Sequence, residues 1–280
     1  MLGIIVAMQN EAECLLSQSK NIRQSKQFGK EIYRAEFEGN EFILVLSGVG
    51  KDNAASAAML ALTLGADTLL NFGVAGGLTP DKKIGMVFQI CKAVEIDFDL
   101  SAINHTPVGT HNERSDPFFI LPYRNASPFL SGIVATADYF ACGDDDSQLL
   151  ETLGADIREM EGAAVAHIAA NAEVPCYMFK AISDNAGENS PNEYAVNCAA
   201  ALKNLSENMK NIFAEVLHGS NSVLSKKSQH FNARNVLFHI AAKCGDVRSS
   251  LQKTERRRLS LACRHAHDRA SSRHGPPQRQ

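Results

Sequence analysis

The 280-residue chain has no tryptophan and only 7% aromatic residues, so aliphatic side chains must supply most of any core. It has no run of roughly 18 apolar residues, which removes a membrane-spanning helix from the reading. The N-terminal stretch, Met1-Leu-Gly-Ile-Ile-Val-Ala-Met-Gln-Asn-Glu11, lacks a basic segment ahead of its short apolar one, so it reads as a first strand and not a secretion signal. The seven cysteines, Cys14, Cys91, Cys142, Cys176, Cys198, Cys244 and Cys263, are odd in number and scattered, and no two form a Cys-x-x-Cys pair. That pattern argues against a disulfide framework or a zinc motif and for reduced thiols in a cytoplasmic protein.

Basic charge is scarce in most of the chain. The 13 Lys/Arg against 3 Asp/Glu from Ser225 onward leave residues 1–224 with 15 basic against 28 acidic side chains, behind a formal net charge of −3. An acidic body speaks against nucleic acid as its partner. Past Gly219 the composition turns to Ser, Arg and His. Residues 220–280 therefore read as a basic, disordered C-terminal extension; the alternative is a segment that binds nucleic acid or an acidic surface through Arg256-Arg257-Arg258, and Val236 to Ile240 is a short apolar patch able to dock.

Leu2 to Met8 is a continuous apolar run, which predicts a strand buried on both faces of a parallel-type sheet. It puts Glu11 just past a strand's C-terminal end, where open α/β sheets bind ligands. A helix through Cys14-Leu15-Leu16 follows, and residues 31–38 and 41–47 alternate around Glu38-Gly39-Asn40 as a hairpin does. Ser47-Gly-Val-Gly-Lys51 then opens an Ala-rich helix over 53–65; its amides either receive an anion or make a simple tight turn. Thr68 to Phe72 predicts a strand leading into a loop, Gly73-Val-Ala-Gly-Gly77, whose glycines either let backbone approach a ligand or let the chain turn. Residues 85–94 and Ile133 to Phe140 are strand-like, and between them 101–129 is a long excursion with no period, the kind of segment that forms a functional lid or is disordered. Val174 to Ser183 predicts a last strand, ended by Asp184-Asn185, and one helix from about Asn192 to Leu217 closes the globular part. Alternating strands and helices predict a single three-layer α/β/α domain with a central mixed sheet over residues 1–219.

Ile157 to Ala169 reads as a helix with Glu159 and Glu161 at its mouth, where the helix dipole favours ionised acids. They are either ordinary first-turn acids on a solvated face or anions for a hydroxyl-rich or cationic ligand. Glu11, Gly76-Gly77, Glu159/Glu161 and Asp184 all fall at strand ends of one sheet. Carboxylates with an aromatic, Phe140, and no His/Cys metal set suit a reaction that builds positive charge and moves protons. Cleaving an N-glycosidic bond does both, since the sugar gains oxocarbenium character while the departing base needs a proton.

The chain resembles the 5′-methylthioadenosine/S-adenosylhomocysteine nucleosidases of the nucleoside phosphorylase superfamily. The matches are Gly3-Ile-Ile with Ala7-Met8 and Glu11, Ser47-Gly-Val-Gly-Lys51, Asn71-x-Gly-x-Ala-Gly-Gly-Leu78, Asp138 with Phe140, Glu159-Met-Glu161 with Ala163, and Ala181-Ile-Ser-Asp184, in order across roughly 1–218. The resemblance implies that Asp184 protonates N7 of adenine, that Glu11 activates the attacking water, and that Glu161 holds the ribose 2′-hydroxyl. It further implies that Gly77, Phe140, Ala141, Glu159, Met160 and Ser183 bind substrate, with Phe140 stacking on the purine and Ser183 orienting Asp184. No cofactor or metal is implied; the partner is an adenosine-derived nucleoside, the assembly a homodimer, and the reaction one of methionine salvage. The chain departs from the family at Val74, often serine, at Lys180, often arginine, at Gln9 and Asn10, commonly acidic, and throughout 101–129.

A nucleoside phosphorylase is the nearest rival, and it would need cationic groups for phosphate where this chain has Leu69 to Phe72 and the acid Glu11. Futalosine-type substrates fit the same chemistry with another 5′ group. A non-catalytic nucleoside-binding protein is the remaining alternative, and it would have no use for a water-activating base.

Overall fold

The computed structural model describes residues 1–227 apart from Cys142, Asp144, Asp145 and Glu188, with side chains described as far as His218. In chain order the elements are β1 (Leu2–Val6), α1 (Gln9–Leu16), β2 (Lys20–Gln27), β3 (Lys30–Phe37), β4 (Asn40–Leu46), α2 (Lys51–Thr63), β5 (Thr68–Gly77), β6 (Val87–Glu95), α3 (Ser101–Asn104), β7 (Phe119–Ile120), β8 (Leu130–Thr136), α4 (Ser147–Leu153), β9 (Ile157–Glu159), α5 (Gly162–Asn171), β10 (Cys176–Asp184), α6 (Ser190–Glu207) and α7 (Met209–Lys227). Met1–Ser222 form one compact unit. Helix α7 runs through Gly219, where composition placed the end of the domain, to Lys227. Val236 to Ile240, Arg256 to Arg258 and the rest of the expected disordered extension from residue 228 lie outside the described residues.

The apolar run at the N-terminus makes β1 the hub of the sheet. All five of its residues are buried, and it pairs in parallel with β4 on one side and β5 on the other. The expected hairpin joins β3 to β4, and β2 adds an edge beyond it. Strand β2 is exposed along its whole length and polar, so no alternation announced it. On the far side, β5 pairs with β10 and, antiparallel, with β9; β9, β8, β6 and β10 then complete a circuit back to β5. The sheet is mixed, as expected, but half of it closes on itself. The link is β9, three residues that the sequence reading assigned to the start of a helix.

Two hydrophobic clusters lie on the two faces and make the layers three. Alanines of α2 and α5, among them Ala57, Ala61, Ala163 and Ala166, pack one face. On the other, α1, α6 and α7 contribute Leu15, Leu202 and Phe213. Phe213 meets Phe37 edge-on at 4.9 Å and Phe42 at 6.1 Å, contacts worth about 0.5–1.5 kcal/mol each beyond area burial. The single closing helix expected from sequence is two, parted at Asn208, whose amide side chain donates to the Asn204 carbonyl at 2.9 Å. Among the described residues no helix is long and apolar enough to cross a membrane.

Candidate active site

Glu11, Phe140, Ala141, Glu159, Met160, Glu161, Ser183 and Asp184 line one cavity of about 230 Å³. Gly77, expected beside them, does not line it. The expected glycine loop is instead the end of β5, laddered to β10 as far as Gly76 and to β9 at Gly77. Gly76 lines the cavity, whereas a Cβ on Gly77 would press on the Lys82 carbonyl at 2.8 Å, so Gly77 serves packing.

Glu11 sits in the first turn of α1 and is 3% exposed. Its Oε2 accepts the N–H groups of Ala7 and Met8 at 3.0 Å each, and its Oε1 accepts that of Val74 at 3.0 Å. Thus the turn between β1 and α1, together with β5, fixes this carboxylate. A Cβ at Gly73 would fall 2.2 Å from Glu11 Oε1, so the strand must carry glycine there. Burial raises the Glu11 pKa even though Lys180 and the three amides pull it down.

Asp184 ends β10 and is likewise 3% exposed. The Ser183 hydroxyl donates to its Oδ2 at 2.9 Å, and the Ala186 N–H donates to Oδ1 at 2.9 Å. The orienting contact that the resemblance implied for Ser183 is therefore present in the geometry.

Glu159 and Glu161 do not share a helical first turn. Glu159 is the last residue of β9, and Glu161 is the N-cap of α5. Glu159 accepts the Glu161 N–H at 3.0 Å, the Gly162 N–H at 2.7 Å, the Thr136 hydroxyl, and Lys180 Nζ at 2.8 Å. Glu161 accepts the Gly50 N–H at 2.8 Å. The Ser47-Gly-Val-Gly-Lys51 loop thus does offer an amide to an anion, and the anion is the protein's own Glu161. Burial first, and the Glu159 charge second, push the Glu161 pKa to about 7.

Lys180 is 2% exposed. Burial works against its charge, but Glu159, Glu161 and Glu11 outweigh burial and its pKa is raised. One ammonium among three carboxylates leaves this floor formally anionic, the polarity that favours a sugar acquiring positive charge.

Sequence reading missed several lining residues: Met8, Val49, Tyr139, Arg158 and Tyr194 among them. Tyr194, on α6, stands edge-on to Phe140 at 5.9 Å, and its hydroxyl reaches Met8 Sδ at 3.4 Å. Nothing but tertiary packing joins these three elements. Arg158 is 5% exposed, with Nη1 2.8 Å from Asp146 and its guanidinium 4.5 Å from the centre of the Tyr139 ring. Asp138 accepts the Lys51 N–H at 2.7 Å and so fastens the start of α2 under the cavity wall.

The phosphorylase superfamily is matched over residues 1–218. The chain belongs to this superfamily. It is 30% identical over 218 residues to the aminodeoxyfutalosine nucleosidase of Campylobacter jejuni, covering 72% of this chain and 95% of that one. It is 32% identical over 218 residues to the 5′-methylthioadenosine/S-adenosylhomocysteine nucleosidase of Tolumonas auensis, covering 73% and 95%. A crystal structure of the Helicobacter pylori 5′-methylthioadenosine/S-adenosylhomocysteine nucleosidase, complexed with a pyrrolidinol bearing an amino-pyrrolopyrimidine and a propynylthiomethyl group, aligns with a TM-score of 0.71 at 26% identity over 76% of this chain and 97% of that one. With these relatives and this cavity, the protein is an enzyme of the N-glycosyl hydrolase class.

Proposed function

We propose that the chain hydrolyses the N-glycosidic bond of 5′-methylthioadenosine and S-adenosylhomocysteine, releasing adenine and the 5′-thio-substituted ribose. The observation that carries this reading is the placing of Glu11, Glu161 and Asp184 around one cavity, each of them held by at least one backbone amide. Asp184, held by Ser183 and the Ala186 amide, delivers the proton to N7 of the departing base. Glu11 takes a proton from the attacking water; a carboxylate held above its ordinary range is the better proton acceptor. Glu161 holds the ribose 2′-hydroxyl, and Phe140 with Tyr194 provides aromatic surface for the ligand. Glu159 serves mainly as a brace, since the start of α5, Thr136 and Lys180 already occupy its oxygens.

Water suits the Glu11 end better than phosphate does, because a carboxylate there repels a phosphate anion and the Lys180 charge is already shared among three acids. The deciding experiment is adenine release from methylthioadenosine, S-adenosylhomocysteine and adenosine, each with and without phosphate. Release from the two thio-nucleosides at a rate indifferent to phosphate is expected; a sugar phosphate product would make the enzyme a phosphorylase. Asp184→Asn should lower turnover by roughly 10²–10⁴-fold, because it keeps size and loses the proton. Full turnover in that variant would overturn the assigned roles.

The aminodeoxyfutalosine nucleosidase among the relatives, at 30% identity, supports a second reading in which a futalosine-type 5′ group is preferred. The same assay with aminodeoxyfutalosine added ranks the two. A homodimer belongs to the proposal as well, and sedimentation of the full chain tests it.

A further inference from the structure

Outside the cavity, three side chains far apart in sequence meet in one buried cluster. Glu95 ends β6, His111 lies in the segment between α3 and β7, and His167 is on α5. Each offers one ligand atom, and these atoms all lie within 4.8 Å of one another. His111 Nε2 is 3.3 Å from Glu95 Oε1, and His167 Nδ1 is 3.6 Å from the same oxygen. Bonds of about 2.0–2.1 Å from a tetrahedral ion imply ligand-to-ligand edges of about 3.3–3.4 Å. The His111–Glu95 edge falls in that range and the His167–Glu95 edge is about 0.2 Å longer, so a small shift of the His167 ring would seat a small dication.

Three further observations point the same way. Glu95 and His111 are 6% and 8% exposed, yet His111 Nε2, 3.3 Å from Glu95 Oε1, makes no hydrogen bond of good geometry, which leaves a buried ring nitrogen unsatisfied. The far nitrogen of His167 is 3.2 Å from Glu113 Oε1, the kind of outer carboxylate that fixes the tautomer and ring orientation of a ligating histidine. The rings are also clamped: Phe98 stacks on His111 at 4.2 Å and Phe119 on His167 at 5.0 Å. The local charge fits too. Lys51 approaches Glu95 through the other oxygen, Oε2 at 3.2 Å, and bonds Asp97 at 2.5 Å. Glu95, Asp97 and Glu113 against Lys51 leave two negative charges when both histidines are neutral.

We infer that Glu95, His111 and His167 form a binding site for one divalent transition metal ion of the zinc type, separate from the substrate cavity. Neutral imidazoles and a carboxylate are the donor set such an ion takes, with at least one position left for water. The site would tie the segment between α3 and β7 to both β6 and α5.

The test uses the full chain, stripped with a chelator and titrated with Co²⁺ and then Zn²⁺. One equivalent of Co²⁺ should bind with the visible absorption of a tetrahedral nitrogen–oxygen site, without a thiolate charge-transfer band, and Zn²⁺ should displace it. His111→Gln and His167→Gln should each weaken binding by about tenfold or more, the size of effect that loss of a partner in or around a metal site produces. That loss also separates this site from Cys263, His265 and His267 of the C-terminal extension, which both variants retain. A wild-type chain that binds no ion, or variants that bind as the wild type does, would overturn the inference. Should a variant fail to fold, the wild type decides through its imidazole resonances: two histidines, and not those of the extension, must shift with one equivalent of Zn²⁺.

Discussion

Glu159 and Glu161 stand two residues apart and carry the same side chain, yet they belong to different regions: one ends a strand, and the other opens a helix. Glu159 is surrounded by donors, namely two amides at the start of α5, the Thr136 hydroxyl and Lys180. Glu161 has the single Gly50 amide at 2.8 Å, and its carboxyl is pushed to about 7. The difference shows how one buried cation can serve several acids. Lys180 neutralises the nearest of them at 2.8 Å and leaves the next one with a single amide for a partner. A carboxylate whose oxygens are filled holds the fold; one left under-satisfied at a cavity wall is available to a ligand hydroxyl.

That contrast can be broken by substitution. The largest effect is expected from Glu159→Gln, which leaves Lys180 buried without its closest counter-charge and should cost about 3–5 kcal/mol in urea unfolding. If Glu161→Gln proved the more damaging to stability, the assignment of brace and ligand group would be reversed. Glu161→Gln is expected to leave the fold intact and to lower kcat/KM roughly 10²-fold, since a hydrogen bond from a ligand to a charged group is worth about 1.5–3 kcal/mol. A change confined to the Glu159 variant would remove Glu161 from the site.

The remaining effect concerns pH. Because the folded-state pKa of Glu161 lies above its ordinary value of 4.5, the folded chain holds that proton more tightly than the unfolded one. Its contribution to stability is therefore fully present below pH 4.5 and is lost as pH rises through about 7. Thermal unfolding followed across that window should show the wild type losing stability relative to Glu161→Gln, and parallel curves would refute the raised value.

The cavity acids were legible because each follows an apolar run: Glu11 after Leu2 to Met8, and Asp184 after Val174 to Ser183. The family pattern then singled out Glu161 and Phe140. Gly76 and not Gly77 faces the cavity, which composition does not show, because the segment reads as a loop while β9 and β10 hold it in a ladder to its end. Strand β2 escaped notice because an exposed edge carries no hydrophobic alternation, and β9 because three residues are too few to show a period. Tyr194 sits in a stretch with no motif of its own, and Arg158, although it directly precedes Glu159-Met-Glu161, shows in sequence no sign of facing the cavity. Glu95, His111 and His167 lie so far apart in the chain that no ligand spacing could reveal them.

The sequence by itself determined the apolar runs that become β1 and β10, the small-residue helices that cover one face, and the identity of the acids placed at strand ends. Hydrophobic periodicity and local preference act over a few residues, and that is the range over which they can be read. Only the tertiary structure decided that β9 turns back against β5 and closes half the sheet. That closure brings Lys180 within 2.8 Å of Glu159 and sets Gly50 against Glu161. The physical reason is that a carboxylate's charge state and free valence depend on burial and on neighbours far away in the chain, here separated by 21 and 111 residues.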